Sequence, residues 1–161
     1  MALVLVASVA GPGRAMDVLP LALDEVVDRA GAIVHGTVVE VAPGRDADGV
    51  VVTWITIEVA ESLKGSPTHR LTFKQLGTSE PLPDGAIFRI PGLPRYRTGE
   101  ELVLFLHEPS ARGFTSPVGL GQGVMRVETK SGERIVRSLR APGGTEALPV
   151  FLEHVRRRAG R

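Results

Sequence analysis

The stretch from Val50 to Gly65, VVVTWITIEVAESLKG, constrains the fold more than any other part of the chain. Most of its residues are β-branched or aromatic, types that suit a pleated, half-buried surface, and Glu58 alone interrupts the apolar and threonine run before Glu61. At a rise of about 3.3 Å per residue, the span from Val50 to Ser62 would reach roughly 43 Å if straight. A domain of this length has a radius of gyration of only about 15 Å. Such a strand must bend or coil. A long coiled strand lets a small barrel pair it with neighbours on both sides of one core, so the sequence predicts a mainly β fold, a closed or partly open barrel.

At 161 residues the chain is long enough for one domain, which buries about two-thirds of the surface its unfolded form exposes. A net charge of +1 gives no reason to expect a polyanionic partner, and 4% aromatic residues leave few platforms for stacking bases. No nucleic-acid partner is expected. Arginine dominates the cations, but its positions are spread along the chain and do not form a patch. With no cysteine, disulfides, thiolate nucleophiles and cysteine metal sites are excluded.

Ala2 to Ala10, ALVLVASVA, is an apolar run followed by Gly11, Pro12, Gly13, Arg14 and Ala15. This reads as the apolar region and cleavage region of a secretory signal that lacks its basic start, the alternative being a first strand of the fold. Residues 1–15 are therefore expected to be a truncated signal peptide and residues 16–161 the barrel domain, secreted or periplasmic. The run falls far short of the ~20 residues that span a bilayer, so no membrane span is expected.

Pro20 to Gly31 reads as a short helix, with Leu23, Val26, Val27 and Ala30 on one face and charged residues on the other. Ile33 to Val41 and then Val50 to Ser62 read as strands joined by a hairpin, and His69 to Leu76 as the third strand of a meander, with Leu71 and Phe73 on one face. From Gly77 to Gly99 the chain is rich in proline and glycine. A connection this long is commonly a binding loop or a cover, and Ile87, Phe88 and Ile90 are expected to pin it. Glu101 to His107 is apolar on both faces and reads as a buried strand. Further strands are expected over Gly113 to Val118, Gly121 to Glu128 and Arg134 to Ser138. After a break at Pro142, Gly143 and Gly144, a final helix from Glu146 to Arg158 would bury Leu148, Phe151, Leu152 and Val155.

This order of elements resembles a group of uncharacterised exported bacterial proteins. The likeness is carried by Gly36-Thr37-Val38, by the segment from Thr53 to Gly65 with Val59 offset by one residue, and by Pro91 to Leu106. In element order the chain is also similar to the oligonucleotide/oligosaccharide-binding (OB) barrel and to the netrin-like modules of tissue inhibitors of metalloproteinases. The resemblance implies a small OB-like barrel with a short N-terminal helix and a C-terminal helix, acting as an exported binding or inhibitor-like module. Those inhibitors chelate the protease metal through an amino-terminal cysteine, which this chain lacks, so that mechanism does not carry over.

His35, His69, His107 and His154 are the only imidazoles, and none sits in an H-x-H or H-E-x-x-H arrangement. No serine lies in a nucleophile elbow or a serine-lysine pair. Glu80 and Asp84 in the long loop could join Glu100 or Glu101, but acids in loops are usually solvated. Gly119 to Gly123, GLGQG, precedes a strand and so reads as a tight turn in place of a phosphate cradle. No catalytic residue, metal ligand or cofactor is assigned.

Trp54, Arg95, Tyr96 and Arg97 are the candidates for recognition, because amphipathic rings and planar guanidinium groups anchor many interfaces. The sequence thus favours a non-catalytic module that binds a protein, peptide or envelope ligand through the Gly77 to Gly99 loop. Two other readings are a hydrolase built from a histidine and dispersed carboxylates, and a barrel that binds single-stranded nucleic acid.

Overall fold

The computed structural model describes residues 19–138 and 144–160. The expected leader over residues 1–15 and the break at Pro142 and Gly143 lie outside them. Among the described residues, no helix is long and apolar enough to cross a membrane.

The chain begins with α1 (Leu23–Arg29), followed by β1 (Ala32–Arg45), β2 (Val51–Lys64) and β3 (Arg70–Leu76). After the long loop come β4 (Glu101–Leu106), a single 3-10 turn (Leu120–Gly123), β5 (Val124–Lys130) and β6 (Glu133–Ser138). A three-residue strand β7 (Thr145–Ala147) leads directly into α2 (Leu148–Ala159). The seven strands form one antiparallel sheet in the order β3-β2-β1-β4-β5-β6-β7.

The long strand bends as its length demands. The β1–β2 ladder changes register at three places, where Leu63 and Ala60 on β2 and Val39 on β1 are each passed over. Each extra residue kinks its strand and increases the local twist. Gly36 sits at one of these places for a steric reason: a Cβ there would lie 2.3 Å from the Glu58 carbonyl oxygen and 2.8 Å from Ile57 Cγ2.

Alternation along the strands sends side chains to two apolar layers. On one face Ile33, Val103, Phe105, Met125 and Val136 pack against Val26 and Val27 of α1 and Phe151, Leu152 and Val155 of α2. On the other, Val34, Val38, Ile55, Ile57, Phe73, Leu102 and Leu104 gather round Tyr96 from the long loop. β4 feeds both layers and is buried on both faces, as its unbroken apolar sequence predicts. Lys64 at the end of β2 donates to the Val27 and Asp28 carbonyls at 2.9 and 3.2 Å, tying down the carboxyl end of α1.

Three expectations need correction. The sheet is not closed into a barrel, because β3 and β7 remain as edges. The expected strand over Gly113 to Val118 makes only two isolated bridges, Lys74 with Phe114 in parallel and Leu106 with Pro117 antiparallel. Pro117 has no N–H to extend a ladder, and Gly113 adopts φ +73°, which turns the chain. In the long loop, Ile87 and Phe88 are 42% and 46% exposed and do not pin it. Leu82 and Tyr96 are the buried anchors instead.

The β3 edge is largely satisfied locally. Odd-numbered residues face β2, since the Gly77 N–H reaches the Val51 carbonyl and the Val59 N–H reaches that of His69, so even-numbered residues point outward. Thr68 Oγ1 bonds both the N–H and the carbonyl of Arg70, at 3.3 and 2.7 Å. The Thr115 N–H bonds the Lys74 carbonyl at 3.0 Å. Thr72 lies between these two caps.

Candidate functional site

The site forms where the long loop returns across the end of β3. Leu71, Phe73 and Gln75 share one face of that strand by period-two alternation, so Gln75 is carried to the margin of the second apolar layer. Its Nε2 donates to the Pro94 carbonyl at 3.4 Å. A carbonyl can only accept, which fixes the orientation of the amide and leaves Oε1 without a partner. Two residues on, the Tyr96 ring meets the Phe73 ring edge to face, with centroids 5.6 Å apart. This contact buries Tyr96 and leaves Arg95 and Arg97, on either side of it, exposed at the rim.

The backbone of this return is fixed from outside. Arg126 Nη2 donates to the Arg95 carbonyl at 2.7 Å, and Arg126 also pairs with Glu100 at 3.4 Å. Glu100 Oε2 accepts the Arg97 N–H at 3.1 Å. At the start of the loop the Thr78 N–H bonds the Phe88 carbonyl at 2.8 Å, and Gly77 holds φ +84°, where a Cβ would lie 2.4 Å from that same oxygen.

Between the two ends of the loop lies a cleft of about 270 Å³, lined among others by Thr53, Gln75, Thr78, Glu80, Arg95, Tyr96 and Arg97. Two of its hydroxyls are committed to backbone: Thr53 donates to the Gly77 carbonyl at 2.8 Å and Thr78 to that of Glu80 at 2.9 Å. Gln75 and Tyr96 are different. Gln75 Oε1 and the Tyr96 hydroxyl are buried and have no hydrogen-bond partner among the described residues. An unsatisfied buried polar group costs about 1–3 kcal/mol, so each is a standing penalty on the fold. Burial pushes the Tyr96 hydroxyl well above the usual phenol range, keeping it neutral. Neither the Arg95 nor the Arg97 guanidinium has an ion-pair partner among the described residues.

Three of the four recognition candidates, Arg95, Tyr96 and Arg97, thus line one cleft. Trp54 lies apart from them. It is half-buried and lines a second cleft of about 470 Å³ with Phe73, Lys74, His107 and Arg112. That cleft is mainly apolar, and two cations at its rim are already neutralised. Lys74 pairs with Asp46 at 3.1 Å and lies 4.1 Å from the Phe114 ring centroid, while Arg112 pairs with Asp48 at 2.6 Å.

The histidines are dispersed. His35 Nε2 lies 2.7 Å from Glu101 Oε1, and because a carboxylate only accepts, the neutral ring carries its hydrogen on Nε2. Arg134 on β6 donates to Glu101 and lies 3.3 Å from His35 Nε2, where two donors meet and only its charge is felt. On the neighbouring strand Glu61, the register partner of His35, is held by Arg156 of α2 through bonds of 2.6 and 2.8 Å. Burial and the Arg134 charge push His35 below the usual imidazole range, with Glu61 opposing them. His35 is 6% exposed and lines none of the described clefts, so its carboxylate partner forms a brace between strands and does not face a substrate opening. Among the described residues no group of three or more histidine, cysteine, aspartate or glutamate side chains is placed to hold a metal ion. GLGQG forms the 3-10 turn, with Gly119 at φ +59° and Val124 continuing as strand.

Sequence reasoning missed Gln75, Thr53 and Thr78. A signal for Gln75 was available, because it continues the face of Leu71 and Phe73 and so places a polar amide where the alternation calls for an apolar residue. No protein-family model, curated protein or solved structure matches this chain.

Proposed function

We propose that the chain is a non-catalytic, exported binding module that recognises a protein or peptide partner through the loop spanning residues 77–99. The observation that carries this reading is the adjacent exposure of Ile87 and Phe88 on a backbone that hydrogen bonds hold in place. Two large apolar side chains presented together on a fixed frame lose little entropy on docking, which favours recognition of a partner surface. Clefts of about 310 and 360 Å³ flank the same loop and give it relief.

The OB-like reading has support of its own. β1, β2 and β3 form the meander, and the segment around Phe114 to Pro117 touches β3 in parallel and β4 antiparallel. Five segments in that arrangement follow the order of a small Greek-key barrel left unzipped along one seam. The exported location rests on the apolar leader and its small-residue junction.

A photo-crosslinking residue at position 88 in the expressed chain tests the binding reading. It should trap a discrete extracytoplasmic partner, and Ile87→Ser with Phe88→Ser should weaken binding of that purified partner about tenfold or more while leaving thermal unfolding unchanged. Equal affinity in the doubly substituted protein would remove the loop from the contact.

A further inference from the structure

We infer that the cleft beneath Arg95 and Arg97 is a binding site for a small carboxylate that also carries a hydrogen-bond donor, the carboxylate facing the two guanidiniums and the donor reaching the covered Gln75 Oε1 through a small movement of the lining side chains. This rests on the cleft's own chemistry and stands independently of the apolar contact at Ile87 and Phe88.

The wall of the cleft holds a polar atom that has no partner. Pro94 fixes the Gln75 amide so that only an acceptor remains, and because Oε1 is covered, an N–H or O–H from outside meets it only when the lining side chains move aside. The Tyr96 hydroxyl is likewise buried, neutral and unpaired. Thr53 and Thr78 cannot donate to Gln75 Oε1, because each hydroxyl hydrogen is spent on a backbone carbonyl, and neither is a partner of the Tyr96 hydroxyl. Both orphan groups are more than nine-tenths buried, Gln75 at 7% exposure and Tyr96 at 8%.

The rim sets the charge. Arg95 and Arg97 carry no ion pair among the described residues, whereas Arg126 and Arg134 of the sheet and Arg156 of α2 all do. Glu80 is the one carboxylate among the residues lining the cleft, so the lining has a net positive charge. Planar guanidinium groups match a carboxylate in geometry as well as in charge. A volume of about 270 Å³ lies just under the roughly 300–1,000 Å³ of sites for drug-sized ligands, so the ligand is fragment-sized.

Two sources present this chemistry. A hexuronic acid offers hydroxyl groups and a ring carboxylate, and a peptide chain end offers an amide N–H one carbon from its carboxylate. Titration of isotope-labelled full-length protein with D-glucuronate, with acetyl-alanyl-alanine, and with their neutral counterparts glucose and acetyl-alanyl-alanine amide separates them. The expected result is a saturable shift of the Gln75 side-chain amide and of the Arg95 and Arg97 Nε–H signals by at least one acid, in the millimolar range, with its neutral counterpart at least about tenfold weaker. Glucuronate alone points to a sugar acid, acetyl-alanyl-alanine alone to a chain end, and both to the shared group.

Arg95→Ala with Arg97→Ala changes only exposed side chains and should abolish the shift. Gln75→Met should weaken binding about tenfold. Phe88→Ser should leave it in place, so the failure of either reading can be told from the failure of the other. Absence of a saturable shift with both acids, equal binding of acid and neutral probe, or full binding by the double arginine variant would overturn the assignment.

Discussion

His35 on β1 and Glu101 on the adjacent β4, the central strand of the sheet, are joined side chain to side chain across 2.7 Å. Register places His35 opposite Val103, so the bond reaches diagonally along the neighbouring strand. The imidazole is the donor, and it performs this role uncharged.

That protonation state has a pH consequence. Burial and Arg134 lower the folded-state affinity of His35 for a proton below that of the unfolded chain, whose imidazole titrates near 6.5. The unfolded state therefore binds more protons as the pH falls through 6.5 towards the folded value, and the His35 contribution to stability, complete above that window, is lost within it. Urea unfolding between pH 7.5 and 5 should show wild type losing more stability than His35→Gln. The carboxylates contribute little to this difference, because they remain ionised in both states over most of the range. A directly measured His35 pKa at or above 6.5 would refute the prediction.

Tyr96→Phe should stabilise the protein. The substitution removes a buried hydroxyl that has no partner and keeps the edge-to-face contact with Phe73. A gain of about 1 kcal/mol is expected, read as a rise of roughly 2–4 °C in thermal midpoint for a domain of this size. A fall in midpoint would show that the hydroxyl is satisfied in solution.

Gly36→Ala tests the bend in the long hairpin. The added methyl would meet backbone on the adjacent strand, at the Glu58 carbonyl, which has no rotamer through which to yield. A loss of at least about 1–3 kcal/mol is expected, measured by urea unfolding, with hydrogen exchange accelerated along β1 and β2. The substitution Gly49→Ala on the hairpin turn meets no such contact, although the φ of +76° at that position still disfavours a side chain.

Much of this architecture is legible in the sequence because it follows from periodicity. The meander, the doubly buried β4 and the apolar faces of both helices follow from alternation or helical spacing, and Leu148, Phe151, Leu152 and Val155 are buried as expected. The failures occurred where tertiary contacts decide. Strand propensity over Gly113 to Val118 could not show that Pro117 and the turn at Gly113 would leave only bridges. Three-residue β7 is too short for any pattern and exists because it docks on β6. In the long loop, hydrophobicity alone favoured Ile87 and Phe88 as anchors, whereas the path of the backbone turned them outward and buried Leu82 and Tyr96. The cleft drew Arg95, Tyr96 and Arg97 from neighbouring positions, but Gln75 comes from a strand about twenty residues upstream, and only folding brings it there.

The caps on the β3 edge bear on how the protein behaves at high concentration. With Arg70 occupied by Thr68 and the Lys74 carbonyl by Thr115, the outward backbone groups of β3 left to an approaching strand are those of Thr72 and of Leu76 at its end. Two copies joining antiparallel through Thr72 would also set Arg70 of each against Lys74 of the other, a cation facing a cation. A margin that looks open in the strand order is therefore poorly suited to templating a fibril.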